Sequence, residues 1–193
     1  LWAAPLRGEP LDLRYIPVAA QMVCSLRTRD LFGTNSDAGL EDALGPAGVW
    51  LADWIREETG FEPSEIERLD LAFYPSEDGH IEYTLVVYLD QELSREKLLA
   101  RWKNPTVERY EEASYYSAGP RAFYIPQGRK DVFACGSVPQ MQAVIDTLEE
   151  AAWLPKALEK LRSQTVAQSQ VQVLFLSDYV RSNRTTLYPG RLA

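Results

Sequence analysis

The residue types that commonly perform catalysis are few and scattered in this chain. The single histidine, His80, lies beside Ser76 and Asp78 in a segment rich in turn residues. A Ser-His-Asp triad needs partners held rigidly next to an oxyanion hole, and a turn provides neither. The Gly-x-Ser-x-Gly motif of many hydrolases is absent from the sequence. We therefore assign no catalytic residue and expect the protein not to be an enzyme.

Paired carboxylates are the second chemistry to consider, because glycosidases use two of them across a cleft. Adjacent glutamate pairs occur at three places: Glu57-Glu58, Glu111-Glu112 and Glu149-Glu150. Among 28 acidic residues such pairs arise by chance, and they usually coat a solvated surface. A hydrolase or ligand-binding enzyme with an acidic cleft is therefore kept as an alternative function.

Metal, cofactor and nucleic-acid sites are disfavoured by composition. One histidine and two cysteines are too few for the usual zinc or haem ligand sets. Neither a P-loop nor a dinucleotide-binding glycine motif is present in the sequence, and we predict no metal and no cofactor. The net charge of −8 argues against a phosphate-binding surface, so we predict no nucleic-acid partner.

The two cysteines, Cys24 and Cys135, each lie in a predicted strand. If those strands are neighbours, a disulfide would close a loop of about 110 residues and stabilise the fold by roughly 4–5 kcal/mol. The alternative is a pair of buried free thiols that act as small apolar residues. We favour the thiols.

An aromatic cluster is the strongest hint of function. It consists of Tyr110, Tyr115, Tyr116, Phe123 and Tyr124. Adjacent strand residues face opposite sides of a sheet, which predicts that one set of tyrosines is partly exposed. Because tyrosine is favoured at protein interfaces, the candidate contact residues are Tyr110, Tyr115, Tyr116 and Tyr124. The alternative is that the tyrosines bury their rings and expose only their hydroxyls.

Hydrophobic periodicity predicts the elements that would carry these residues. Strands are predicted at about 20–26, 69–74, 81–89, 107–116, 121–125, 131–135 and 171–176. Helices are predicted at about 47–59 and 95–103, after Ser137 and after Pro155, and the helix with Trp50 and Trp54 is expected to pack on the sheet. Hairpins mixed with single helices predict an α+β fold, with a mostly antiparallel sheet, helices on one face and a ferredoxin-like split βαβ character.

The domain organisation follows from the same pattern. Residues 1–16 are predicted to be a linker, 17–181 a single α+β domain and 182–193 a tail. One internal similarity opens an alternative, because residues 20–32 and 169–181 each form a strand that runs into a charged segment. The chain would then hold one repeat and the first strand of the next.

Three segments together carry a family resemblance. They are LDLRYIPVAA at 11–20, GFEPSEIE at 60–67 and KDVFAC at 130–135, which leads into the helix after Ser137. In this order they resemble a repeated α+β domain found in extracytoplasmic or membrane-anchored proteins of planctomycete-type bacteria. The resemblance brings no catalytic residues. It implies a periplasmic or other extracytoplasmic location, with anchoring through a segment that is not in this chain.

The sequence therefore leads to the expectation of a non-catalytic interaction or scaffold module outside the cytoplasm. Its partner would be a protein, and it would contact a membrane only through an anchor or partner outside this chain. Besides the acidic-cleft enzyme, a second alternative is an accessory subunit of a multiprotein membrane complex.

Overall fold

The computed structural model describes residues 10–33, 39, 43–75, 81–147, 154–166 and 169–183. Within these residues the strands are β1 (Met22–Leu26), β2 (Ile66–Tyr74), β3 (Glu82–Leu89), β4 (Thr106–Tyr110), β5 (Ala113–Ala118), β6 (Arg121–Tyr124), β7 (Val132–Gly136) and β8 (Val171–Phe175). The helices are α1 (Thr28–Phe32), α2 (Pro46–Thr59), α3 (Arg95–Arg101), α4 (Val138–Asp146), α5 (Lys156–Arg162) and α6 (Ser177–Ser182), with a 3-10 turn at Pro63–Glu65.

The described strands form one antiparallel sheet in the order β4-β5-β6-β7-β3-β2-β1-β8. The long β2 and β3 pair at its centre, and β1 lies between β2 and β8. The predicted α+β class with an antiparallel sheet is confirmed. The ferredoxin-like character is not confirmed, because β1 pairs directly with β2 rather than being split from it by another strand.

Helices cover both faces of the sheet. Strand residues alternate between two cores, so that Val86 points into one and Leu85 into the other, and both are fully buried. We call the side covered by α2 and α3 the α2 face, and the side covered by α4 and α5 the α4 face. The expectation of helices on one face is wrong, because the central strands carry apolar side chains on both sides and each side must be shielded from water.

The segment before β1 belongs to the core of the α4 face. Leu11, Leu13, Tyr15 and Ile16 are at most 7% exposed. Their backbone is tied to the region around α5, since Arg162 Nη1 donates to the Leu11 carbonyl at 2.9 Å. The prediction of a linker as far as residue 16 is therefore wrong for residues 11–16. The rest of that linker at 1–9, and the tail from residue 184, lie outside the described residues.

The predicted strand at 107–116 is two strands, β4 and β5. Glu111 has a φ of 51°, and this left-handed residue reverses the chain between them. The acidic pair Glu111-Glu112 therefore occupies an exposed turn.

The helix boundaries are close to those predicted. Gly60, with a φ of 79°, ends α2 in the left-handed conformation that glycine adopts freely. The Ser94 side chain accepts a hydrogen bond from the Lys97 amide and caps α3. At the start of α4 the Ser137 side chain makes no capping bond. The Gln140 side chain of α4 bonds to β3: its oxygen accepts from Thr84 Oγ1 at 3.2 Å, and its nitrogen donates to Glu82 Oε2 at 2.8 Å.

Candidate functional site

Three of the four candidate contact tyrosines lie in the two cores. Tyr115, Tyr116 and Tyr124 are 3%, 1% and 4% exposed. Tyr110 is half-buried, and its hydroxyl lies 3.4 Å from an Asp146 carboxylate oxygen. The expectation that one set would be exposed is wrong, because β5 and β6 are covered on both faces. Rings that are buried this deeply cannot form a contact surface for a partner.

Two of these hydroxyls are hydrogen-bonded at the edge of the core. Tyr115 donates to Glu108 Oε2 at 2.6 Å, and the neighbouring carboxylate raises the pKa of the tyrosine. Arg95 Nε donates to the Tyr116 hydroxyl. The rings are buried, as the alternative expected, but the hydroxyls of Tyr115 and Tyr116 are bonded to Glu108 and Arg95 rather than left as the exposed part of the side chain.

Both cysteines are free thiols. Cys24 lies on β1 and Cys135 on β7, and β2 and β3 separate these strands. At a strand spacing of roughly 4.8 Å, three steps across the sheet exceed the reach of a disulfide. The disulfide is therefore excluded in this fold, and both thiols are free as favoured, but only Cys135 is buried and Cys24 is half-buried.

The most exposed aromatic side chain among the described residues, Trp50, is on α2. The tryptophan patch consists of Val49, Trp50 and Trp54 of α2 with Tyr83 of β3. Trp50 is 65% exposed and Val49 is 49% exposed. The Trp50 ring stacks on Trp54 with centroids 6.5 Å apart, and Trp54 contacts Tyr83 at 5.8 Å. The patch therefore extends from the sheet to an indole in solvent.

The burial pattern of α2 explains why Trp50 is exposed. The buried residues of the helix are Gly48, Ala52, Ile55 and Thr59, which recur at helical spacing. Trp50 is two positions from Ala52 and so lies about 200° around the helix from it. The sequence predicts that the helix with Trp50 and Trp54 packs on the sheet, which it does, but it did not indicate that Trp50 faces away from the sheet. The sequence did contain one signal of the buried side: small residues at 48, 52 and 59 line the side of α2 that packs against the sheet.

Charged side chains form a rim beside the tryptophan patch. Arg56 is paired with Asp53 at 2.5 Å and with Glu62 at 2.7 Å, and all three are well exposed. Arg56 lowers the pKa of Glu62 by hydrogen bonding. On the sheet side, burial and the adjacent Glu58 raise the pKa of Tyr83 to about 12. An apolar centre with a polar rim is the usual composition of a protein-binding surface.

A surface pocket of about 470 Å³ lies above Trp102 and Phe123. Its charged lining residues are Arg56, Glu57, Glu58, Arg101, Lys103 and Arg121. Glu58 is paired with Arg121 at 2.7 Å, and Arg121 also donates to the Glu57 carbonyl. Cationic side chains thus outnumber carboxylates in this pocket, whereas the enzyme alternative requires an acidic cleft.

Two sets of candidate residues lie outside the described residues. They are Glu149-Glu150 and the trio Ser76, Asp78 and His80.

A buried ion pair lies on the α4 face of β2. Asp70 is fully buried, accepts a hydrogen bond from Ser25 Oγ at 2.6 Å and lies 3.2 Å from Arg68 Nη2. Arg68 also donates to the Asp12 carbonyl at 3.0 Å and stacks over the Tyr88 ring. The Arg68–Asp70 contact lacks hydrogen-bond geometry, so Asp70 Oδ2 has no hydrogen-bond partner among the described residues. Burial raises the pKa of Asp70 to about 6, although Arg68 opposes the shift.

The described residues lack two further features, a metal-binding cluster and a membrane-spanning helix. They contain no group of three or more His, Cys, Asp or Glu side chains placed to hold a metal ion. No helix among them combines the length and apolarity that a bilayer crossing requires.

Comparison with known proteins gives structural neighbours only. No family model matches the chain, and no curated protein matches it. Crystal form I of TP0453 superimposes with a TM-score of 0.49 at 13% identity, over 88% of this chain and 63% of that one. Crystal form III of TP0453 gives a TM-score of 0.52 at 12% identity, over 94% and 68%. The chain thus spans about two thirds of the TP0453 chain. At 12% identity, the similarity to crystal form III of TP0453 shows a shared fold and nothing about function.

Proposed function

We propose that this protein is a non-catalytic interaction module that binds a protein partner through the tryptophan patch. The observation that carries the proposal is the exposure of Trp50, at 65%, on a helix that is otherwise anchored in the core. An exposed tryptophan lowers the solubility of a protein, and tryptophan is enriched among the residues that dominate the binding energy at interfaces. The patch replaces the tyrosines as the contact surface.

The patch is large enough to contribute substantially to binding. Covering the exposed part of one indole removes roughly 150 Å² of apolar surface, which corresponds to about 4 kcal/mol. The stacked Trp54 and the sheet beneath it hold the indole in place, so that little side-chain entropy remains to be lost on binding. The Arg56 rim beside it would add charge complementarity to a partner.

The extracytoplasmic setting is part of the proposal. It is supported by the family resemblance of residues 11–20, 60–67 and 130–135. Membrane contact would come only from an anchor or a partner outside this chain. The acidic-cleft enzyme is not favoured, because the pocket beside α2 holds more cations than carboxylates.

Site-specific photo-crosslinking in the source cells tests the contact surface. A photoreactive residue at position 50 is expected to capture a defined protein partner. The matched control is position 107, because Val107 is 57% exposed on the distant edge strand β4. Trp50→Ala should weaken binding of that partner by at least about thirtyfold, whereas Val107→Ala should not change it.

Two results would contradict the proposal. Equal capture from positions 50 and 107 would remove the tryptophan patch as the contact surface. Recovery of the natural protein in the cytosolic fraction, rather than with extracytoplasmic proteins, would remove the proposed setting.

A further inference from the structure

The two edges of the sheet differ in chemistry. β4 reads Thr-Val-Glu-Arg-Tyr and follows Pro105, so charges and a proline accompany this edge. β8 reads Val-Gln-Val-Leu-Phe, with neither a charge nor a proline. Edge strands of soluble proteins are normally protected by charges, prolines or bulges, because their free backbone groups recruit other strands. The β8 edge lacks this protection.

The free backbone groups of β8 can be assigned from its pairing with β1. The Leu176 amide donates to the Gln21 carbonyl, and the Arg27 amide donates to the Gln170 carbonyl, both at 2.9 Å. Even-numbered residues of β8 therefore direct their backbone groups toward β1. In an antiparallel ladder the alternate residues point the other way, so Val171, Val173 and Phe175 present their N–H and C=O groups to the free edge.

The α2 face is also open at this edge. Val171, Val173 and Phe175 are 50%, 47% and 45% exposed. On β1 the residues across from them, Leu26, Cys24 and Met22, are half-buried. Two strands further in, Leu85 and Val87 on the same face are fully buried. Among the described residues, helical cover thus fades from β3 toward β8 and leaves an apolar sheet face exposed.

β1 and β8 are related by a local twofold axis. Each strand has five residues, then one connecting residue, then a short helix, α1 or α6. The axis passes between Cys24 and Val173, which face each other at the centre of the ladder. It exchanges the two 2.9 Å hydrogen bonds at the ladder ends, Arg27 to Gln170 and Leu176 to Gln21. It also carries Met22 onto Val171 and Leu26 onto Phe175, so the two open rows are equivalent.

We propose that β8 and α6 are the first strand and helix of a second unit of this fold in the same polypeptide. A strand of that unit equivalent to β2 pairs with the free edge of β8. In the first unit β2 pairs with Met22, Cys24 and Leu26, and α2 packs on the same face further in. The second unit supplies the same two elements to Val171, Val173 and Phe175. The tryptophan patch is not used in this argument.

A second copy of this chain does not satisfy the same surface. Pairing of β8 with β8 would extend the sheet, but it would leave the apolar faces of both copies exposed beside each other. A repeat unit brings both an edge strand and a covering helix, as the first unit does for β2 and β3. The need for a covering helix as well as a pairing strand therefore favours an intramolecular junction over a dimer.

Residue-resolved amide hydrogen exchange tests the proposal. In a protein limited to residues 1–193, the outward amides of Val171, Val173 and Phe175 should exchange faster than those of Gln172 and Leu174. In the complete natural polypeptide all five should be protected, and the outward three should slow by at least about a hundredfold. The inward two are internal controls, because β1 pairs with them in both proteins.

Other outcomes would overturn the junction. Fast exchange of the three outward amides in the complete natural polypeptide, or a natural polypeptide with no such unit after α6, would do so. Protection that appears in the 193-residue protein only as its concentration rises would identify a second copy as the occupant instead. Protection that appears only with lipid vesicles would identify a membrane surface.

A charge substitution provides a second measurement. Val173→Lys should barely change the melting temperature of the 193-residue protein, because the side chain is half exposed. It should lower the melting temperature of the complete polypeptide by several degrees, because the charge would be buried at the junction. Val107→Lys on β4 is the control and should have a small effect in both. Equal effects of Val173→Lys in the two proteins would contradict the proposal.

Discussion

Replacing Arg68 by Met would test the buried ion pair through the pH dependence of stability. The substitution keeps the apolar stem of the side chain and removes the charge that faces Asp70. Asp70 is fully buried, and its carboxylate would keep only the hydrogen bond from Ser25. Removing one partner of a buried pair typically costs about 3–5 kcal/mol, because the remaining charge is uncompensated.

The pKa of Asp70 sets the direction of the pH effect. Burial raises it to about 6 in the folded protein, against about 3.9 in an unfolded chain. The folded state therefore binds this proton more tightly, and the resulting stabilisation is complete below about pH 4 and is lost as pH rises through 6. A shift of about two units corresponds to about 3 kcal/mol in the wild type. Loss of Arg68 raises the pKa further and enlarges the effect.

The destabilisation caused by Arg68→Met should therefore shrink as pH falls. We expect about 3 kcal/mol at pH 7.5 and about 1 kcal/mol at pH 5, where Asp70 is protonated in both proteins. The residual cost comes from the lost hydrogen bond to the Asp12 carbonyl and the lost stacking on Tyr88. Urea unfolding followed by tryptophan fluorescence at both pH values measures the difference.

Two controls separate the ion pair from general effects. Arg56→Met breaks an exposed pair and should change the stability little at either pH. The double variant Arg68→Met/Asp70→Asn lacks the titrating group, so its stability difference from Arg68→Met should depend on pH. The reasoning is refuted if Arg68→Met destabilises the protein equally at pH 5 and pH 7.5, or more at pH 5.

Three further outcomes follow from burial. Tyr124→Ala should cost about 3–5 kcal/mol in urea unfolding, and Tyr110→Ala clearly less; equal costs would contradict the core assignment of Tyr124. Leu13→Ala should cost about 2–5 kcal/mol, whereas a linker residue would cost nothing measurable. Thiol titration should find both cysteines free in denaturant; in the folded protein at pH 8, Cys135 should not react and Cys24 should react slowly, because burial raises its pKa to about 11. A protein mass about 2 Da lower without reductant than with it would indicate a disulfide.

Local patterns were sufficient to predict most elements. The alternation in β3 and the end of α2 at Thr59 follow from side-chain periodicity and backbone sterics, and both occur where predicted. The turn at Glu111 was missed, because a left-handed glutamate carries no glycine, proline or asparagine signal. Likewise, residues 11–16 contain no regular element, so their burial was not visible from periodicity.

The candidate site was less predictable than the fold. The sequence indicated that a strand with adjacent tyrosines must direct them to opposite faces, which is correct for Tyr115 and Tyr116. It did not indicate whether one face or both would be covered. The tyrosines are buried because helices cover both faces of the sheet. Trp50 is exposed because α2 packs through Ala52 and Ile55 on its other side.

By itself, the sequence determined most of the secondary structure, the α+β class and the absence of recognisable catalytic motifs, because these depend on residue type and spacing along a short stretch. The tertiary structure alone decided which surfaces stay in contact with water. It separated Cys24 from Cys135 by two strands, bonded Ser25 of β1 to the buried Asp70 of β2 and left β8 as an edge. These contacts join distant parts of the chain, and short-range periodicity specifies the direction of a side chain but not the element that will lie opposite it.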